Sequence, residues 1–147
     1  MKYYSYDDFK IDTLSLIQRV KDSQFEAIVA VARGGLTLSH AMAEGLDIRQ
    51  VQSIRTELYD KSVKRDKLEV FDACRLDGLK KVLVVDDIAD SGDTLKAVME
   101  YLGKKYEDIE FVSCTIFYKK TSVYEPHYWI NEADGWIDFF WERDFLR

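Results

Sequence analysis

The run Val82-Leu83-Val84-Val85-Asp86-Asp87-Ile88-Ala89-Asp90-Ser91-Gly92-Asp93-Thr94 constrains this chain most. Its four leading residues are apolar and mostly β-branched, the pattern of a short strand covered on both faces. Such strands belong to parallel sheets, where ligands sit just beyond the carboxyl ends. Asp86 and Asp87 fall at that end. Ala89 to Thr94 can form a tight turn opening a helix, and successive backbone N–H groups there hold a phosphate that the helix dipole also favours. Gly92 lets the backbone approach a ligand closely, and the Ser91 and Thr94 hydroxyls add donors. A phosphate cradle beside two carboxylates suits a phosphorylated sugar, with the acids facing its hydroxyls or a divalent metal.

The rest of the chain supplies a setting for that unit. Asp7 to about Lys21 carries Phe9, Leu14, Ile17 and Val20 at helical spacing. Ala27 to Ala32 reads as a central strand, Leu36 to Glu44 as a helix with Gly45 as its C-cap, and Val51 to Thr56 as a second strand. Glu57 to Lys67 is charged and without period, which predicts a loop or mobile hairpin. Leu68 to Ala73 alternates again. A helix from about Asp93 to Lys104, a strand from Glu110 to Tyr118 and a short aromatic strand from Trp136 to Trp141 complete the order. Strands alternating with helices predict an α/β fold: a mostly parallel central sheet flanked by helices. The length of 147 residues, one proline and the lack of a Gly/Ser linker predict a single domain over 1–147. A net charge of −6 argues against nucleic acid as the main partner. Neither a signal peptide nor a membrane span is expected. Cys74 and Cys114 lack metal-site spacing and read as free thiols of a reducing, cytoplasmic protein.

The Asp86–Thr94 run resembles the phosphoribosyl-diphosphate (PRPP) signature of type I phosphoribosyltransferases: apolar residues, two acids, two variable residues, then Asp-Ser/Thr-Gly-x-Thr. A response-regulator receiver also ends a strand in Asp-Asp, but it lacks the Asp-Ser-Gly-x-Thr turn and needs more chain than follows Asp87. Further motifs occur in family order. Arg33-Gly34-Gly35 resembles the pyrophosphate loop, where relatives with purine substrates carry a cis peptide, here Ala32–Arg33. Glu57 to about Lys67 resembles the small hood that closes over the sugar. Within it Arg65 takes the place of a basic residue that touches the diphosphate, while Leu58-Tyr59 departs from the common Ser-Tyr. Lys119 matches the lysine that bonds the O6 of a 6-oxopurine. Trp136 and Ile137 match the stacking tryptophan and the next residue, whose backbone bonds the base edge, in xanthine-guanine phosphoribosyltransferases. Phe140 stands where those relatives have proline.

The resemblance implies a Mg²⁺-dependent pentosyltransferase of purine salvage, one that joins guanine, xanthine or hypoxanthine to PRPP. Arg33, Gly34, Arg65 and residues Asp86, Asp87, Ile88, Ala89, Asp90, Ser91, Gly92, Asp93 and Thr94 would hold PRPP. Asp87 would be the metal-side acid, Asp90 the general base or acid at purine N7, and Lys119, Trp136 and Ile137 the purine site. Relatives are commonly dimers or tetramers, so a homo-oligomer is expected. A non-catalytic regulator of the same fold and a phosphoribosyltransferase for another base are the alternatives.

Overall fold

The computed structural model describes residues 2–60 and 66–146. In chain order the elements are β1 (Lys2–Tyr4), α1 (Tyr6–Val20), β2 (Ala27–Val31), α2 (Leu36–Leu46), β3 (Val51–Asp60), β4 (Asp66–Asp72), β5 (Lys81–Val85), β6 (Ile88–Ala89), α3 (Asp93–Lys105), β7 (Glu110–Cys114), β8 (Phe117–Tyr118), β9 (Asn131–Glu132), β10 (Ile137–Phe139) and α4 (Phe140–Arg143). The main sheet has the order β4-β3-β2-β5-β7. It is parallel throughout except for β4, which runs antiparallel to β3. This is the α/β architecture that the alternation of elements predicts. Among the described residues no helix is long and apolar enough to cross a membrane.

Strand β2 is buried along its whole length because it is covered on both faces. Its alternate side chains enter two separate cores. Ile28 joins Leu83, Val85 and Cys114 beneath α1 and α2, together with Leu16, Leu38 and Met42. Val29 and Val31 join Val82, Val84 and Ile54 beneath α3, with Leu95, Val98 and Leu102. Truncating a fully buried leucine such as Leu83 to alanine costs about 2–5 kcal/mol. The sheet is therefore a rigid platform for whatever its carboxyl ends carry. Ser5 caps α1 by accepting from the Asp8 N–H at 3.1 Å, and Asp7 and Asp8 complement the helix dipole. Cys74 and Cys114 are free and buried, and burial first of all pushes both thiols up to about 12.

Four expectations need correction. Gly45 is not a C-cap but lies inside α2, where a side chain would run into Ile17 of α1; Asp47, with φ 54°, ends the helix instead. The second strand does not end at Thr56, and of the two readings of the charged segment the hairpin holds. Strand β3 continues through Asp60 and pairs with β4 in register, Leu58 opposite Leu68. The predicted strand from Glu110 to Tyr118 is two strands, broken at Thr115 and Ile116. Strand β7 pairs with β5, whereas β8 leaves the main sheet to pair with β6 and β9. The aromatic strand is shorter than Trp136 to Trp141. It spans Ile137 to Phe139, and Phe140 opens α4. That first helical position is one that suits proline. Phe140 instead packs edge-on against Tyr6, Phe9 and Trp141. The sequence pattern also missed β1, which pairs parallel with β10.

Candidate active site

The carboxyl ends of β2 and β5 bring the two glycine-bearing motifs together. After β2 the Ala32–Arg33 peptide is cis. The Gly35 N–H then turns back to the Val31 carbonyl at 2.7 Å. Gly34 is placed against the acidic pair. A Cβ there would lie 2.5 Å from Asp87 Oδ2, so a side chain at this position would displace the Asp87 carboxylate. Arg33 is exposed beside this junction.

Asp86 and Asp87 are each only 8% exposed. The Asp86 N–H donates to the Cys114 carbonyl, which ties the pair to the end of β7. The Asp87 N–H donates to Asp86 Oδ1 at 2.8 Å. The Asp87 carbonyl accepts from both Ile116 and Phe117, at 3.0 and 3.1 Å. This double acceptance is what pulls the chain out of β7 and into β8. Burial, then the neighbouring Asp87 charge, raises Asp86 well above the ordinary carboxylate range. Burial raises Asp87 to about 6, against the pull of its hydrogen bonds from Asp86 and Ile88, and the charge of Glu142 adds to the rise. Two acids this close in a dry site resist double ionisation. A cation or the hydroxyls of a sugar would relieve that cost.

Among the described residues no group of three or more His, Cys, Asp or Glu is arranged to hold a metal ion. The donor set is the carboxylate pair. That fits Mg²⁺, which commonly takes one or two carboxylates and completes its shell from substrate oxygens and water.

The turn expected to hold phosphate leaves β6 at Ala89 and enters α3 at Asp93. Gly92 adopts φ 86°, a left-handed conformation that a side chain would strain. Ser91 Oγ accepts from the Asp93 N–H at 3.2 Å, and the Ser91 carbonyl accepts from Val123 at 2.8 Å. A cleft of about 640 Å³ runs along the turn and the first turns of α3, past Ser91, Thr94 and Ala97. Its other wall is the hairpin pair Leu58 and Leu68.

Strands β6 and β8 lie side by side, so the residues that follow them meet. The Lys119 N–H donates to the Ala89 carbonyl at 3.1 Å, and Lys119 Nζ lies 2.9 Å from Asp90 Oδ1. One strand further, Ala133 donates to the Tyr118 carbonyl, and the chain turns there toward Trp136. Trp136 is 65% exposed, while Ile137 is buried. Lys119, held by a carboxylate, thus sits at the carboxyl end of this small sheet, and Trp136 follows Ala133 with an exposed indole.

Arg33, Gly34, Asp86, Asp87, Ile88 and the turn from Ala89 to Thr94 therefore gather at the carboxyl ends of β2, β5 and β6, with Lys119 beside them. Arg65 lies outside the described residues, as does the tip of the hood. Sequence reasoning missed Glu142, whose charge acts on Asp87. It also missed the segment after Lys119, which packs on Gly92. Neither carries a local signal, since each is placed by a long-range contact.

The family model of the phosphoribosyl transferase domain matches residues 6–144. A xanthine-guanine phosphoribosyltransferase of Idiomarina loihiensis is 31% identical over 144 residues, spanning 95% of this chain and 86% of that protein. A solved xanthine-guanine-hypoxanthine phosphoribosyltransferase of Helicobacter pylori superposes with a TM-score of 0.91 at 38% identity, covering 97% of this chain and 94% of the other. A purine phosphoribosyltransferase of Pyrococcus horikoshii superposes with a TM-score of 0.85 at 25% identity, over 95% and 92% of the two chains.

Proposed function

The chain belongs to the phosphoribosyltransferase family, and from that premise we propose that it is a purine salvage enzyme acting as one domain. It joins guanine, xanthine or hypoxanthine to PRPP and yields a nucleoside 5′-monophosphate and pyrophosphate. The observation that carries this reading is the contact of Lys119 with Asp90 at 2.9 Å, at the mouth of the phosphate turn. It puts a hydrogen-bond donor for a purine O6 and a proton acceptor for N7 side by side, next to the phosphate cradle.

The residues divide the work as follows. Backbone N–H groups from Ala89 to Thr94, with the Ser91 and Thr94 hydroxyls, hold the 5′-phosphate. Arg33 and the Gly34 backbone face the diphosphate, and Arg65 joins them from the hood. Asp86 and Asp87 hold the ribose hydroxyls. Their negative charge also stabilises the oxocarbenium-like transition state at the anomeric carbon. When bound beside Asp87, Mg²⁺ supplies positive charge against the diphosphate leaving group. Purine N9 forms its bond to that carbon as the bond to the diphosphate oxygen breaks, and Asp90 takes the N7 proton. Lys119 orients O6, Trp136 stacks on the ring, and the Ile137 backbone bonds the base edge; stacking contributes roughly 1–3 kcal/mol per base. The same reading implies a cytoplasmic homo-oligomer.

The test is nucleotide formation from PRPP, Mg²⁺ and a panel of bases. Turnover is expected with at least one of guanine, xanthine and hypoxanthine and little with adenine, whose 6-amino group offers Lys119 no acceptor. Efficient adenine turnover overturns the base assignment. Tight PRPP or nucleotide binding with no turnover of any base would instead favour a regulator.

A further inference from the structure

Beyond Lys119, the segment from Lys120 to Tyr128 is not used by the chemistry above, yet it lies directly on the phosphate turn. It leaves β8 at Lys119, closes a turn with the Ser122 N–H on the Lys119 carbonyl, and crosses Gly92. A Cβ at Gly92 would lie 2.8 Å from the Tyr124 nitrogen and 3.0 Å from that of Val123. The Val123 N–H bonds the Ser91 carbonyl at 2.8 Å. The far end reaches the free edge of β7, where Tyr128 exchanges backbone bonds with Ser113 and Thr115.

One side chain of β7 fixes this strap. Ser113 is wholly buried, and every polar atom it offers is engaged. Its N–H donates to His127 Nδ1 at 3.0 Å, so Nδ1 is the bare ring nitrogen. With Nδ1 bare, the 2.9 Å contact from Ser113 Oγ has the hydroxyl donating to it. The hydroxyl oxygen then accepts the His127 N–H at 3.1 Å and the Tyr124 phenol at 2.7 Å. Burial raises the Tyr124 phenol, which stays protonated and can donate. Ser113 therefore holds both ends of the strap's second half, and Tyr124 is the residue whose backbone rests against Gly92.

We propose that Ser113 is a positioning residue for the phosphate turn, acting through Tyr124 and His127. The strap clamps Ser91 and Gly92 from behind and keeps the turn's N–H groups convergent before PRPP arrives. Preorganised donors bind an anion more tightly than donors that must be ordered on binding. Expressed as PRPP affinity, this rests on the phosphoribosyltransferase reading above.

The test separates clamping from general stability. Steady-state kinetics and ligand-free amide exchange are measured on wild type, Tyr124→Phe, His127→Ala, His127→Asn and Ser113→Ala. Tyr124→Phe should raise the KM for PRPP about three- to tenfold, the effect of one lost hydrogen bond, and His127→Ala, which removes the acceptor of two, at least as much, each with a smaller change in the base KM. His127→Asn should recover most of the loss, because its amide oxygen can accept the Ser113 N–H. Ser113→Ala combined with Tyr124→Phe should raise the KM for PRPP further, because the hydroxyl's two bonds to His127 are then lost as well. Exchange at Ser91 to Leu95 should quicken in Tyr124→Phe without ligand. Equal rises in both KM values, or unchanged exchange at Ser91 to Leu95, would overturn the proposal. If wild type turns over no base, the purine reading fails, and the exchange comparison still decides the strap.

Discussion

Asp86 and Asp87 are held where two negative charges are costly, and nothing in the core needs them there. Their backbone groups, not their carboxylates, tie β5 to β7 and β8. The carboxylates are thus free to serve a ligand, and their ionisation is a cost to the folded state. Replacing Asp87 by asparagine keeps the side-chain volume and an oxygen that can accept from Ile88, and it removes the charge. We expect Asp87→Asn to lose about a hundredfold or more of turnover while melting at or above the wild-type temperature near pH 7.5. Kinetics beside thermal melting checks this; a variant that melts well below wild type would show that the carboxylate is structural.

At the scale of elements, the hairpin β3–β4 stands off α3 across the cleft of about 640 Å³. Leu58 and Leu68 form a cross-strand pair on that wall, and Leu58 is 64% exposed. An apolar pair facing an open cleft gains burial only if the hairpin moves toward the helix. Amide exchange at Glu57 to Asp60 and at Lys67 and Leu68 should slow with PRPP and Mg²⁺. Equal rates with and without ligand would reduce the hairpin to a static wall. These elements also show what was legible in the sequence. The strand, acid pair and turn from Val82 to Thr94 could be read because each residue's role follows from near neighbours: β-branching, a strand end, a glycine at positive φ. The break at Thr115 and Ile116 could not, because it depends on the Asp87 carbonyl, contributed from another element. Gly45 misled for a similar reason. Its value lies in Ile17, which reaches it from a different helix. The extension of the hood strands was hidden by their charge, since an exposed hairpin does not need apolar alternation.

For the whole molecule, burial of the acid pair sets a pH dependence. A carboxylate raised in the folded state binds protons there more strongly than in the unfolded chain. Stability is then greatest below the unfolded value and falls as pH rises through the folded one. For Asp87 the window runs from its ordinary 3.8 to about 6. Glu26 has the opposite sign, because the Lys80 and Lys81 N–H groups bond its carboxylate and lower it. Asp72 is also lowered: bonds from Lys105, Cys74 and Tyr101 outweigh its burial. Both are common to wild type and variant, so the difference isolates the pair. Relative to Asp87→Asn, wild type should lose on the order of 1–3 kcal/mol between pH 4 and pH 7, read by urea unfolding. A constant difference across that range would mean the acid is already ionised at the lower end.

The pairing of β1 with β10 joins Lys2 to Ile137 and Tyr4 to Phe139. Lys2 also donates to the carbonyl of Trp136, and the Tyr4 ring packs edge-on against Phe117, Phe139 and Trp141. Closing a loop that long has a large entropic cost before any contact rewards it, and contacts between residues so far apart form late in folding. The turn proposed to hold phosphate and the strap behind it draw on residues 89–128, whereas the proposed base site waits for Lys2 to Tyr4 to reach Ile137 to Phe139. A growing or partly folded chain would therefore acquire its grip on phosphate first and its choice of base last.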